Sequence, residues 1–159
     1  MRKLFLILGV VIASTFAFGS TAATAAPPAP RNFVVTMNAN DEVPRCAAGS
    51  ITDRGVAIFH VTDQSAGTVR YLIVSTDLPG QIILAHIHKA PKGVAAPPAQ
   101  PLDLTGAQFG VVVAGTFSNP ALVADMQAHP DQYYVNVHTD VCQPGVIRGQ
   151  FGDHGFFGF

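Results

Sequence analysis

Seven short apolar runs are spaced along the chain, and most are separated by glycine, proline, asparagine or aspartate. They are NFVVTMN (32–38), RGVAIFHVTD (54–63), GTVRYLIVST (67–76), QIILAHIH (81–88), GVVVAGTF (110–117), QYYVNVH (132–138) and VIRGQF (146–151). Runs of this length, rich in β-branched and aromatic residues and bounded by turn formers, predict strands of an all-β domain. The alternation is clearest in YYVNVHT, where Tyr133, Val135 and Val137 point one way and Tyr134, Asn136 and His138 the other. The first set belongs in a core and the second on a non-core face. The pattern predicts an antiparallel, Greek-key-like β-sandwich or barrel with one short helix.

That helix is expected in SNPALVADMQAHP. Asn119 can cap it, Pro120 suits the first helical position, Leu122 and Met126 share a face, and Pro130 stops the run. KAPKGVAAPPAQP (89–101) holds too many prolines for a central strand and reads as a long loop. The chain shows no internal repeat.

The N-terminus changes the compartment. Residues 1–25 have the features of an export signal: Arg2 and Lys3, a nearly continuous apolar stretch from Leu4 to Phe18, and small residues ending in Ala23-Thr24-Ala25. Residues 26–31 then form a Pro-rich leader, 32–151 one domain, and 152–159 a Gly/Phe-rich tail. No later segment approaches the ~18 apolar residues of a membrane span, so the expected location is secreted or periplasmic. Removing the signal takes away two bases and no acid, leaving seven basic against ten acidic side chains. A mildly acidic domain is a poor electrostatic match for nucleic acid or anionic lipid. In an oxidising compartment the two cysteines, Cys46 and Cys142, are expected to pair. The closed loop is worth about 4–5 kcal/mol in the chain-entropy model. The alternative is two separate buried thiols.

Candidate chemistry lies in the histidines. In LAHIHKAP, His86 and His88 alternate along a strand and lie on one face, about 6–7 Å apart at a rise of ~3.3 Å per residue. Two imidazoles so placed can tilt toward one point and reach metal–nitrogen distances of ~2.0 Å. His138 is the candidate third ligand, and His60 the first choice for a fourth; His129 and His154 are expected to be exposed. Three neutral nitrogens with an open position suit copper(II) or zinc. Lys89 and Lys92 would favour neutral imidazole but repel an incoming cation. The competing reading is structural, with the histidines bonded to one another, to Asn136, to Thr139 or to a backbone carbonyl. Glu42, in DEVP, could serve as a ligand or as a partner for Arg148, but is expected at a strand end bonded to backbone or arginine; Arg148, in VIRGQ, could bind an anion, but is expected to pair with a carboxylate. Gly149 is expected to allow close backbone approach. No serine or cysteine has an evident base and orienting acid.

Several of these stretches, in order, carry a resemblance. NANDEVPR, GVAIFHVT, LAHIHKAP, YYVNVHTD and PGVIRGQF resemble the CHRD domain first described in chordin, in its short bacterial single-domain form, over about Asn32 to Phe151. The resemblance implies an all-β extracellular module and brings with it no established reaction. Its expected partner is an extracellular or periplasmic protein or matrix component. Lys89 stands where the family usually has glycine, and Val146 where glutamate usually precedes Ile-Arg-Gly, which removes an acid beside Arg148. A fainter similarity is to Cu,Zn superoxide dismutase, through His86 and His88, then His138, then CQPGVIRG. It implies a small copper redox enzyme as the alternative to a binding module, although no bridging histidine or zinc-ligand set accompanies the echo.

Overall fold

The computed structural model describes residues 28–104 and 112–153. The expected signal peptide, the first residues of the leader, and the tail from His154 onward lie outside the described residues. Eight strands form one curled antiparallel sheet: β1 (Asn32–Asn38), β2 (Arg54–Asp63), β3 (Thr68–Ser75), β4 (Ile82–Lys89), β5 (Pro98–Pro101), β6 (Val112–Ser118), β7 (Tyr133–Thr139) and β8 (Ile147–Gln150). Their order across the sheet is β5-β4-β7-β8-β1-β2-β3-β6. The two ends of the sheet approach one another. The Tyr71 hydroxyl on β3 donates to the Asp103 carbonyl beyond β5 at 2.8 Å, and Asn119 after β6 donates to Gln100 on β5 at 3.2 Å.

The concave side holds the core. Val35, Phe59, Ile73, Ile87, Val135 and Ile147 are its fully enclosed centre. Phe151 fills one end, its ring 5.0 Å from Phe59 and 5.6 Å from Phe33. β2 alternates exposed and buried positions over nearly its whole length, the signature of a strand with one face in water. The helix α1 (Pro120–Ala128) forms as its sequence predicts: the Asn119 side chain accepts from the Leu122 N–H, and Leu122, Val123 and Met126 are buried. The disulfide joins Cys46 to Cys142, with Cα atoms 5.7 Å apart. Gly149 lies so close to β1 that a Cβ there would stand 2.2 Å from the Thr36 carbonyl oxygen.

One expectation is corrected and one is extended. The proline-rich stretch is not loop throughout, because Pro98–Pro101 pairs with β4 as an edge strand, where a missing N–H costs the ladder little. β7 does not have a free non-core face: all seven of its residues are buried. Tyr133, Val135 and Val137 do enter the core. The opposite face is covered by the segment from Ala90 to Pro97, which polar side chains hold down. Arg148 donates to the Val94 and Pro91 carbonyls at 2.9 and 3.1 Å, Gln150 donates to the Ala90 carbonyl at 2.9 Å, and the Tyr134 hydroxyl accepts from the Ala96 N–H at 3.1 Å.

Candidate metal centre under the covered face

Antiparallel pairing of β4 with β7 sets Leu84 against His138, His86 against Asn136 and His88 against Tyr134. Because side chains alternate, His86, His88, Tyr134, Asn136 and His138 all stand on the covered face. The ring centroids of His86 and His138 are 5.0 Å apart, those of His86 and His88 5.5 Å, and those of His88 and His138 6.2 Å. One ring nitrogen from each lies within 4.8 Å of those of the other two. His88 and His138 are buried, and His86 is half-buried, so the group meets solvent on the His86 side.

The hydrogen bonds fix which nitrogens are free. His88 Nδ1 lies 2.8 Å from the Ala96 carbonyl and His138 Nδ1 lies 2.7 Å from the Gln143 carbonyl. A carbonyl only accepts, so both rings are protonated at Nδ1 and present a lone pair at Nε2. His86 Nδ1 lies 3.1 Å from His138 Nε2 and donates to it. Burial pushes the pKa of all three rings down; in His86, where the neighbouring His138 and His88 add to the effect, it falls to about 4. All three rings are therefore neutral at pH 7, the state a metal ligand needs. Backbone carbonyls on the remote nitrogens are the usual outer partners of metal-bound imidazole.

Tyr134 stiffens one wall. Its ring stacks on His88 at 4.5 Å with an interplanar angle of 2°, and the Arg148 guanidinium carbon lies 3.4 Å from its centroid. Since β7 lies between β4 and β8, Tyr134 is flanked by the two. Arg148 is thus committed to an aromatic face, two carbonyls and Gln150 Oε1 at 3.4 Å. The expected carboxylate partner is not among its hydrogen bonds. Glu42 instead accepts from the Val43 N–H at 3.2 Å and from Asn136 Nδ2, at 2.8 Å on each oxygen. Burial raises its pKa to about 7 against the lowering effect of these bonds and of the Arg148 charge.

His60 does not join the group. It stands on the exposed side of β2, with Nδ1 2.6 Å from Asn32 Oδ1, and three strands separate β2 from β4. His129 caps the C-terminal end of α1 and is exposed. Lys89 and Lys92 turn outward, Lys89 paired with Asp125, and Lys92 with Asp153 and Asp41, so neither charge is aimed at the rings. Sequence reasoning named Asn136 only as a hydrogen-bond partner and missed that Glu42 holds it. The available signal was its place between Tyr134 and His138 on the polar side of one strand.

Comparison with known families finds the CHRD domain over residues 33–151, most of the chain. The chain belongs to the CHRD domain family. No curated protein and no solved structure matches it. The CHRD match ends on Phe151, the residue that closes the core, and includes His86, His88, His138 and both cysteines. Among the described residues of this CHRD domain, no helix is long and apolar enough to cross a membrane.

Proposed function

We propose that this protein is an exported CHRD-domain binding module that holds one copper(II) or zinc ion through His86 Nδ1, His88 Nε2 and His138 Nε2. The observation that supports it best is the convergence of three ring nitrogens within 4.8 Å, two of them fixed as lone-pair donors by backbone carbonyls. At an ion with ~2.0 Å bonds and tetrahedral angles the nitrogens stand about 3.3 Å apart, so ring rotation draws in the widest pair. His86 gives up its Nδ1 proton to bind and carries it on Nε2, the half-exposed side. Copper(II) binds such a set more tightly than zinc by the usual affinity order. Export is supported by the family and by the disulfide, a crosslink typical of oxidising compartments.

A second reading rests on the His86–His138 hydrogen bond, which ties β4 to β7 without any ion. Elemental analysis and metal titration separate the two. The metal centre requires about one copper(II) or zinc per chain, stabilisation of the folded protein by the ion, and loss of uptake in His138→Ala. Absence of uptake by the wild-type protein, or uptake unchanged in His138→Ala, leaves only the structural tie.

A further inference from the structure

Among the described residues, two buried side-chain polar atoms have no hydrogen-bond partner: His88 Nε2 and Asn136 Oδ1. Both are acceptors. The first is a lone pair because the Nδ1 proton of that ring is given to Ala96, and the second is a carboxamide oxygen. Both stand on the covered face of adjacent strands. Asn136 is the register partner of His86, two register pairs from His88–Tyr134 and next to it on that face, and two residues before His138. Buried acceptors without donors are costly wherever they occur. Where they share a face with two further imidazoles, a cation is one group that satisfies them together.

The orientation of the Asn136 amide is fixed from the far side. Nδ2 donates to both oxygens of Glu42 at 2.8 Å each. Glu42 follows the 3-10 turn (Ala39–Asp41) that ends β1, so it reaches β7 from the β8–β1 side. Oδ1, the other corner of the planar amide, is left without a donor on the face that carries the histidines. Gly145 leaves room for this pair: a Cβ there would stand 2.5 Å from both Asn136 Nδ2 and Glu42 Oε2.

The geometry points to Asn136 Oδ1 as the fourth protein donor to the ion held by His86, His88 and His138, with Glu42 as the positioning residue that aims it. This inference rests on the metal centre proposed above. When ionised, Glu42 also polarises the amide, making its oxygen a better donor, and places a negative charge just outside the ligands. The resulting set is three imidazoles and one neutral oxygen on a dication, with a carboxylate one bond further out.

Zinc titration of the isotopically labelled protein, followed by NMR of imidazole and side-chain carboxamide groups, tests the assignment in the wild type. The Asn136 carboxamide carbon should shift together with the three imidazoles and stop moving at one equivalent. Competition titration with a chromophoric chelator should find that Asn136→Ala still binds one ion, with affinity lower by about 10–100-fold. Glu42→Gln, whose carbonyl can still accept one N–H, should lose less. Copper(II)-loaded Asn136→Ala should have an altered paramagnetic resonance spectrum, whereas a purely structural asparagine would change melting temperature and leave the copper spectrum as in the wild type. If Asn136→Ala does not fold, the labelled wild type decides alone. Imidazole shifts with an unmoved Asn136 carboxamide, or a variant with wild-type affinity and spectrum, overturn the assignment while leaving the three-histidine centre standing. Imidazoles that do not respond to zinc overturn both.

Discussion

The two halves of the sheet solve the burial problem differently. In β1-β2-β3-β6 the concave face is core and the convex face is open, with Val56 and Ile58 of β2 and Leu72 and Val74 of β3 each more than a third exposed. In β7 and β8 every residue is buried, although the face away from the core carries Tyr134, Asn136, His138, Arg148 and Gln150. The first half hides apolar side chains, with the Tyr71 hydroxyl bonded to the Asp103 carbonyl, and tolerates apolar ones in water. The second hides polar side chains and partners most of their polar atoms with the Ala90–Pro97 segment, the Gln143 carbonyl and Glu42. A polar face given such a cover is where chemistry can be held away from water.

The sharpest way to probe the open half is through its core. Phe59→Ala should lower unfolding free energy by about 3–5 kcal/mol in chemical denaturation, the cost of a large cavity at a fully enclosed ring. Because Phe59 lies on the core face of β2, three strands from β4, metal uptake by the folded fraction should persist. A loss of uptake beyond the loss of folded protein would break the separation of the halves.

In the covered half, Arg148→Leu strands the Val94 and Pro91 carbonyls, at about 1–3 kcal/mol each if they stay buried. Lifting of the segment into water relieves part of that, so hydrogen exchange at residues 90–97 should accelerate along with the fall in stability. Unchanged exchange would show that Arg148 does not hold the cover.

The pH dependence of the metal-free protein separates the halves further, because the covered half holds the shifted histidines and Glu42. For the histidines the folded pKa lies below the unfolded one, so between about 6.5 and about 4 the unfolded chain binds more protons and stability falls as pH falls. Glu42 acts oppositely: its folded pKa of about 7 lies above the usual 4.5, so its contribution declines as pH rises through that interval. Three groups outweigh one, and the melting temperature should drop on acidification below about 6.5. Glu42→Gln should steepen that drop and His86→Gln should flatten it. The smallest effect belongs to the open face: Ile58→Thr should stay within about 0.5 kcal/mol of the wild type in the same denaturation assay.

What the sequence disclosed follows the same division. Strand periodicity reports which side chains share a face, and it located β1, β2 and the core-facing Tyr133, Val135 and Val137 directly. The helix was legible because Asn119 and Pro120 act on their own neighbours. Periodicity does not report what lies on the second face, because the cover over β7 comes from residues some forty positions earlier. Arg148 therefore looked like half of an ion pair, although its partners are the Pro91 and Val94 carbonyls, which carry no side-chain signature. The same holds for the Ala96 and Gln143 carbonyls that set the histidine tautomers. A strand near the His86–His88 pair in sequence makes His60 the first candidate for a fourth ligand, whereas its place in the β2 alternation assigns it to the open face.

The short strand Pro98–Pro101 also bears on how these molecules behave in company. A sheet that ends in a row of unused amides invites the next molecule to add a strand and the one after that to follow, the route to fibres. Two of the four residues along this margin are prolines with no amide hydrogen to offer. On the side nearest the histidines, the composition of the last strand works against growth by strand addition.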